Sequence, residues 1–419
     1  MRIAFVSRYA TPFHRYGGLE RYAADVVRHL SALGATVELF CEPAELSFDA
    51  TAVSQPAPGA VHFVDHHTLP GLGNRPGRVI LDRITNYFLF AAAAAARVVE
   101  LHATRPFDVV YAQGLGAWGV ACHAERRAAT APPLVVINHG MEEFKTVQPM
   151  KRLLYGPFRA GIRRSSRAAS AVIAADEGAR AESEALLGFT PRRWAIVPAG
   201  IDLERIEGLR DPEVEHAWRA RLGLDQGRPL ILSVGRLERN KGFEVAIEAL
   251  SRATVGLPAR WQWAVVGAGS QADSLAKGVV EARLEEHVTF VGAVSDRELH
   301  NLYALADLFI HPTLFEGTSI VTQEAMAHAL PIVASAAGGI PAKITDGKTG
   351  VLVPPGDADA LSRAVLETLN RPDRGRELGL AARAAVARRL AWPAVATQLL
   401  GVLGDVAAEP PWRRAGADR

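Results

Sequence analysis

Short, uninterrupted apolar runs punctuate the chain, separated by stretches of helical periodicity or polar turn residues. Residues 3–6 are the first, a run suited to a parallel strand buried on both faces. A loop from Arg8 to Gly18 follows, containing Pro12 and the Gly17-Gly18 pair. Tyr22, Val26, Leu30 and Leu33 then recur at helical spacing, and Gly34 is placed to end that helix. Residues 37–40 read as the next strand. This strand–helix–strand opening predicts a parallel sheet covered by helices. Residues 108–111, 134–137, 171–174 and 194–197 extend the series, and 198–228 turn polar and read as a linker. A second series follows at 230–234, 263–266, 288–291, 307–310, 332–334 and 351–353. The expected fold is α/β, with two doubly wound Rossmann-like domains facing a central cleft. The first spans 1–197 and the second 229–390. A helix over 391–408 is expected to return towards the N-terminal domain, with a polar tail at 409–419. Ligands in such folds bind beyond the carboxyl ends of the strands, so the chemistry belongs in the loops that follow them.

Composition narrows the function classes. Of 419 residues, 49% are apolar, which excludes disorder of the whole chain. Lys plus Arg number 47 and Asp plus Glu 45, a net charge of +2 that gives no support to nucleic-acid binding. Two cysteines, Cys41 and Cys122, are too few for a disulfide framework or a structural zinc site and read as buried thiols. The apolar start is too short for a signal peptide and Arg8 interrupts it. The longest uncharged apolar stretch, 87–96, falls well short of the ~20 residues that span a bilayer. A cytoplasmic protein is expected, one that touches a membrane at most.

Several post-strand loops carry candidate chemistry. Gly267-Ala268-Gly269-Ser270-Gln271-Ala272 fits a dinucleotide-binding glycine pattern. It does not follow the first strand of its domain, however, and the next strand ends in Val291-Gly292 without an acid for ribose, so a glycine turn facing the cleft is the better reading. Gly235-Arg236-Leu237 with Lys241-Gly242 places two cations after the strand at 230–234, suited to a phosphate or to a solvated basic loop. Phe315-Glu316-Gly317-Thr318-Ser319 follows another strand and opens a helix, so Gly317, Thr318 and Ser319 offer N–H groups to an anion. Glu316 and Glu324, eight residues apart, would lie roughly 12 Å apart along a helix. That exceeds the about 5–9.5 Å of a glycosidase carboxylate pair. The spacing suits an extended ligand with hydroxyls at both ends and anionic charge between. Asp357-Ala358-Asp359 reads as a helix-capping turn rather than a metal site.

The ordered set of motifs resembles the family 4 retaining glycosyltransferases of the GT-B fold. The marks are Gly17-Gly18-Leu19-Glu20-Arg21, His139-Gly140, Val197-Pro198-Ala199-Gly200-Ile201-Asp202, Gly235-Arg236-Leu237 with Lys241-Gly242, Glu316 to Glu324, Gly338-Gly339-Ile340-Pro341, and Gly350-Val351-Leu352-Val353-Pro354-Pro355-Gly356-Asp357. Ala342 departs from the pattern, where the family often carries a glutamate. The resemblance implies transfer of a sugar from a nucleoside diphosphate to a hydroxyl acceptor, a glycan or a lipid-linked one, with retention of configuration. It implies no metal and no other cofactor, Arg236, Lys241 and helix-start amides replacing the metal electrostatically. It assigns Arg236, Lys241, Glu316 and His139 to catalysis, Glu316 on donor sugar hydroxyls and His139 near the reacting carbon. It assigns Gly17, Gly18, Gly235, Gly267, Gly317, Thr318, Ser319 and Glu324 to the donor, with Glu324 on the ribose. The base (UDP, GDP or ADP), the sugar and the acceptor stay open. The competing readings are a nucleotide-sugar epimerase or a phosphorylase on the same architecture, and a non-catalytic nucleotide-sugar binder.

From Lys145 to Ala175 there is no acid, whereas Lys145, Lys151, Arg152, Arg159, Arg163, Arg164 and Arg167 are all basic. Val147, Met150, Leu154, Phe158 and Ile162 fall on one side of a helical wheel, and Gly156-Pro157 should break the helix. Two readings stand: a helix packing its apolar face and solvating its charges, or peripheral contact with an anionic membrane through 145–167.

Overall fold

The computed structural model describes residues 1–11, 13–14, 18–43, 60–66, 76–126, 131–139, 141–146, 148–224, 227–258, 260–317 and 319–409, with the backbone alone for 18, 76–84 and 142. The chain divides into two compact units, Met1–Gly200 with Trp392–Arg419, and Ile201–Ala391.

Unit 1 is a parallel sheet of β1 (Arg2–Val6), β2 (Thr36–Cys41), β3 (Val61–Phe63), β4 (Val109–Gln113), β5 (Leu134–Ile137), β6 (Ala171–Ala174) and β7 (Trp194–Ile196), in the order β3-β2-β1-β4-β5-β6-β7. Both faces are covered, which is why its strands read as unbroken apolar runs. Ile3, Phe5, Tyr111 and Val135 face a core shared with the helices Gly18–Ala32 and Trp392–Ala407. Ala4, Val6, Val110 and Val136 face the helices Pro76–Thr104 and Trp118–Arg126. Edge strand β3 carries no readable period. It has three residues, and the central one, His62, is hydrogen-bonded through Nε2 to Glu38 Oε2 at 2.9 Å.

Unit 2 repeats the design with β8 (Leu230–Val234), β9 (Gln262–Val266), β10 (Val288–Gly292), β11 (Leu308–His311), β12 (Ile332–Ser335) and β13 (Val351–Val353), in the order β10-β9-β8-β11-β12-β13. Strand order reverses between β1 and β4 in unit 1 and between β8 and β11 in unit 2.

The expected linker is not one. Residues 203–222 form the helices Leu203–Gly208 and Pro212–Leu222, capped by Asp202 and Asp211. Trp218 and Leu222 are buried in the unit 2 core, so the polar composition of this stretch belongs to the solvent side of two packed helices. The chain crosses between units at Gly200/Ile201 and Ala391/Trp392. Ile201 N–H donates to the Leu390 carbonyl at 2.8 Å. Trp392 is fully buried, stacks on His29 at 5.3 Å and donates its indole N–H to Asp25 Oδ2 at 3.1 Å. A Cβ on Gly200 would lie 2.4 Å from that indole, so glycine is required where the first crossing leaves unit 1. The tail beyond Glu409 lies outside the described residues.

The basic segment breaks where Gly156-Pro157 requires, into helices Pro149–Leu154 and Gly156–Ala168. The wheel is only half right. Phe158 and Ile162 are buried, whereas Met150 is exposed, and Val147 lies outside the described residues. Cys41 is buried and Cys122 half-buried, both free thiols. Among the described residues no helix is long and apolar enough to cross a membrane.

Trp392 ties the last helix to the first, so Trp392→Ala should cost unit 1 about 3–5 kcal/mol. The measurement is the urea dependence of hydrogen exchange in β1 and β4. A loss below about 1 kcal/mol would show that the helix docks without its indole.

Candidate active site

Unit 2 places a compact charged cluster at its own reversal point. After β8 the chain runs through Gly235 and Arg236 into a short turn, Arg239–Lys241, and reaches the helix Phe243–Ala253 through Gly242. After β11 it runs from His311 to Gly317, and the helix Ile320–Ala327 follows. The two loops are stitched together at the Asn240 carbonyl, which accepts from the N–H groups of Leu314 (2.9 Å) and Phe315 (3.2 Å) and from Thr313 Oγ1 (2.8 Å). Gly242 has φ +65°, and a Cβ there would lie 2.2 Å from the Pro312 carbonyl oxygen. Close approach of the loops therefore demands glycine.

This stitching brings Lys241 and Glu316 together. Lys241 Nζ lies 2.5 Å from Glu316 Oε2, and His311 Nε2 lies 3.2 Å from the same oxygen. A carboxylate only accepts, so His311 Nε2 carries the proton and donates it. Burial alone would raise the Glu316 carboxyl, but the His311 hydrogen bond and Lys241 outweigh it and hold the pKa at about 2. Burial lowers the His311 imidazole, and Glu316 restores only part of that. The site at neutral pH is thus an ammonium, a carboxylate and a neutral imidazole. Ser319 Oγ lies 3.2 Å from His311 Nε2 and caps the helix by accepting from Thr322 N–H.

The spacing argument for the two acids needs correction. Glu316 precedes the helix, so the helical rise does not set its distance from Glu324. Glu324 is buried on the helix and accepts from Tyr303 Oη at 3.1 Å. Arg236 is exposed at its loop tip. Gly235 donates its N–H to Val266 at 3.0 Å. Gly267 has a packing reason to be glycine: at φ +137° its Cβ would lie 1.9 Å from the Gly235 carbonyl oxygen. Glu238 then ties these loops together by accepting from Ser270 N–H (3.1 Å) and Oγ (2.8 Å). Gly317 has open space where a Cβ would stand. Gly17, Thr318 and Gly140 lie outside the described residues, and Gly18 begins the first helix of unit 1. Asp357 caps the helix Ala358–Asn370 by accepting from Ala360 N–H at 2.8 Å, and Asp359 pairs with Arg252, so both acids of that string have structural partners.

In unit 1, His139 follows β5 and its ring meets Tyr22 edge-on at 5.1 Å. The residue as a whole is half-buried, but its Nε2 is shut off from water with no hydrogen-bond partner among the described residues. Burial pushes its pKa down to about 4. Tyr22 Oη is paired with Tyr111 Oη at 2.7 Å, and burial pushes its phenol up to about 12.

Residues 16–205 match the sequence model of "Glycosyltransferase Family 4", and residues 214–385 match that of "Glycosyl transferases group 1". A D-inositol 3-phosphate glycosyltransferase of Geodermatophilus obscurus is 30% identical over 395 residues, 87% of this chain and 82% of the relative. The chain belongs to glycosyltransferase family 4. A GDP-mannose-dependent phosphatidylinositol monomannoside mannosyltransferase of Mycolicibacterium smegmatis is 28% identical over 74% of this family 4 chain and 79% of its own length. The solved structure of sucrose-phosphate synthase from Thermosynechococcus elongatus shares the fold, with TM-score 0.75, 23% identity and coverage of 97% and 99%. Two Rossmann-like α/β domains are the GT-B plan.

Within this glycosyltransferase, the sequence reading takes His311 for a structural or loop residue and does not single out Tyr303, Glu238 or Lys343. His311 had a readable signal: it is the last residue of a strand whose carboxyl end faces the site, five residues before Glu316. The other three had none, because their partners lie 21 to 32 residues away in sequence.

The Glu316 pKa is lowered from 4.5 to about 2, so its stabilisation is complete above the unfolded value and is lost as pH falls towards 2. Glu316→Gln should melt lower at pH 7 and show a shallower loss of melting temperature between about pH 5 and 2. Equal acid slopes for the two proteins would contradict the buried ion cluster.

Proposed function

We propose that this family 4 glycosyltransferase moves a sugar from a nucleoside-diphosphate sugar to a hydroxyl acceptor with retention of configuration and without a metal. The observation that carries the reading is the Lys241–Glu316–His311 cluster at the reversal of the unit 2 sheet. Departure of a nucleoside diphosphate builds negative charge on phosphate oxygens, and fixed cations there lower the barrier. Lys241 spends one donor on Glu316 and its ammonium has two more. Arg236 adds a guanidinium that can grip a phosphate in two places. Glu316, fixed as a carboxylate, accepts hydrogen bonds from sugar hydroxyls, and Glu324 accepts from ribose. In unit 1, His139 is assigned to the donor sugar near its reacting carbon, as the family resemblance implies. The C1–O bond to the diphosphate breaks while the acceptor oxygen bonds C1 on the same face, and the acceptor proton passes to a leaving phosphate oxygen. The relatives named for phosphatidylinositol monomannoside and for inositol 3-phosphate support a phosphorylated or lipid-linked polyol acceptor.

The acceptor assignment includes peripheral contact with anionic lipid through the helix Pro149–Leu154. Most cations of the basic segment already have protein partners. Lys145 pairs with Glu182 and Arg164 with Glu125, Arg163 donates to the carbonyls of Leu186 and Leu187, and Arg159 to those of Glu143 and Arg152. Lys151 and Arg152 are exposed beside Met150 (68% exposed) and Leu153 (73%), a pairing of charge and apolar surface that suits an anionic interface.

Assay of UDP-, GDP- and ADP-sugars for hydrolysis and transfer tests the activity. Arg236→Ala and Lys241→Ala should each cut turnover ~100-fold or more, and wild-type activity should survive saturating EDTA. Activity within threefold of wild type for both variants, or loss in EDTA that magnesium or manganese restores, overturns the mechanism.

Cosedimentation tests the lipid contact. Binding to anionic vesicles should exceed binding to neutral ones, weaken in high salt and fall sharply in Lys151→Glu/Arg152→Glu. Indifference to lipid charge removes this contact and favours a soluble acceptor.

A further inference from the structure

The turn that carries Glu316 is gripped from behind by the segment following β12. Gly338 has φ +53°, and a Cβ there would lie 1.6 Å from the Glu316 carbonyl oxygen. Gly339 N–H donates to the Gly317 carbonyl at 3.0 Å. The third grip is a side chain. Lys343, buried at 7% exposure, donates from Nζ to the Ser319 carbonyl at 2.8 Å. Ser319 Oγ in turn lies against His311 Nε2, the nitrogen that donates to Glu316.

A lysine is a costly residue for this place. Its ammonium must leave water, and it stands at the N-terminal end of the helix Ile320–Ala327, where the helix dipole disfavours positive charge. Ile340 and Ile344 flank it in the unit 2 core, so an apolar side chain of similar length would fill the volume without either cost. What an apolar residue could not do is hold the Ser319 carbonyl. We infer that Lys343 is a positioning residue that acts through Ser319 and His311 to aim the Glu316 carboxylate at the sugar of the donor. This inference rests on the reading of Glu316 as the sugar-binding acid. It carries a distinctive consequence: loss of Lys343 should weaken recognition of the sugar and leave recognition of the nucleotide intact.

The test is calorimetric titration with UDP against UDP-glucose, GDP against GDP-mannose and ADP against ADP-glucose, using the pair that wild type binds. The readout is the ratio of the two Kd values within that pair. Lys343→Met keeps the volume and should lower the advantage of the sugar nucleotide about tenfold, with free-nucleotide affinity within twofold of wild type. Lys343→Arg keeps a donor and should recover part of the ratio. Ser319→Ala removes the link to His311 while keeping Lys343, and should lower the ratio as well; it serves as the test if Lys343→Met does not fold. An unchanged ratio, or equal loss for nucleotide and sugar nucleotide, overturns the positioning role. Glu316→Gln separates the two levels. If it lowers the ratio and Lys343→Met and Ser319→Ala do not, only the positioning role falls. If Glu316→Gln leaves the ratio unchanged, or wild type binds both members of the pair equally, the sugar-binding reading of Glu316 falls and the positioning role with it.

Discussion

A carboxylate can stay ionised in a protein interior only where donors and cations face it, and unit 2 is organised around one such group, Glu316. Lys241 comes from the loop after β8, His311 from the end of β11, and the supporting turn from the segment after β12. These three strands are neighbours only because the sheet reverses between β8 and β11. The close approaches at Gly242 and Gly338 follow from the same demand, since backbone must pass within a Cβ radius of backbone to bring Lys241 and Glu316 together. A charged, half-buried cluster whose members hydrogen-bond one another is held in place by those bonds.

Unit 1 uses the same sheet plan for different surroundings. On one side of its sheet an aromatic, uncharged group gathers: Tyr22 of the first helix against Tyr111 of β4, and His139 after β5 against Tyr22. Burial works in one direction on all of them, keeping each group uncharged. The cluster of unit 2 is charged where this group is neutral, so one sheet plan holds two different kinds of polar surroundings.

The basic segment at 145–167 shows how little a count of charges decides. Seven cations without an acid look like an anion-binding surface, yet Lys145 and Arg164 find carboxylates that lie 37 and 39 residues away in the chain. Arg163 and Arg159 are spent on carbonyls at helix ends, where a guanidinium satisfies acceptors the helix leaves open. What is left for a partner is a much smaller patch on one short helix.

The sequence alone determined the alternation of strand and helix, the division into two parallel sheets, the break at Gly156-Pro157 and the family. Each of these rests on local signals: apolar runs buried on both faces, helical periodicity, proline geometry and motifs in order. That Lys241, Glu316 and Ser319 lie in loops that meet was also legible, because loops after parallel strands converge on one end of a sheet. Tertiary structure alone decided the rest. The stretch 203–222 looked like a linker because exposed helix faces and linkers share a polar composition, and only packing of Trp218 and Leu222 tells them apart. The glycines at 267 and 269 read as a glycine turn despite their dinucleotide-like pattern, and only the nearness of the Gly235 and Leu237 carbonyls explains why glycine is needed there. Glu316 could be read as an acid, but its ionisation depends on His311 and Lys241, and its orientation on a turn held by Lys343. Those are properties of distances in space between residues that no local pattern in the chain connects.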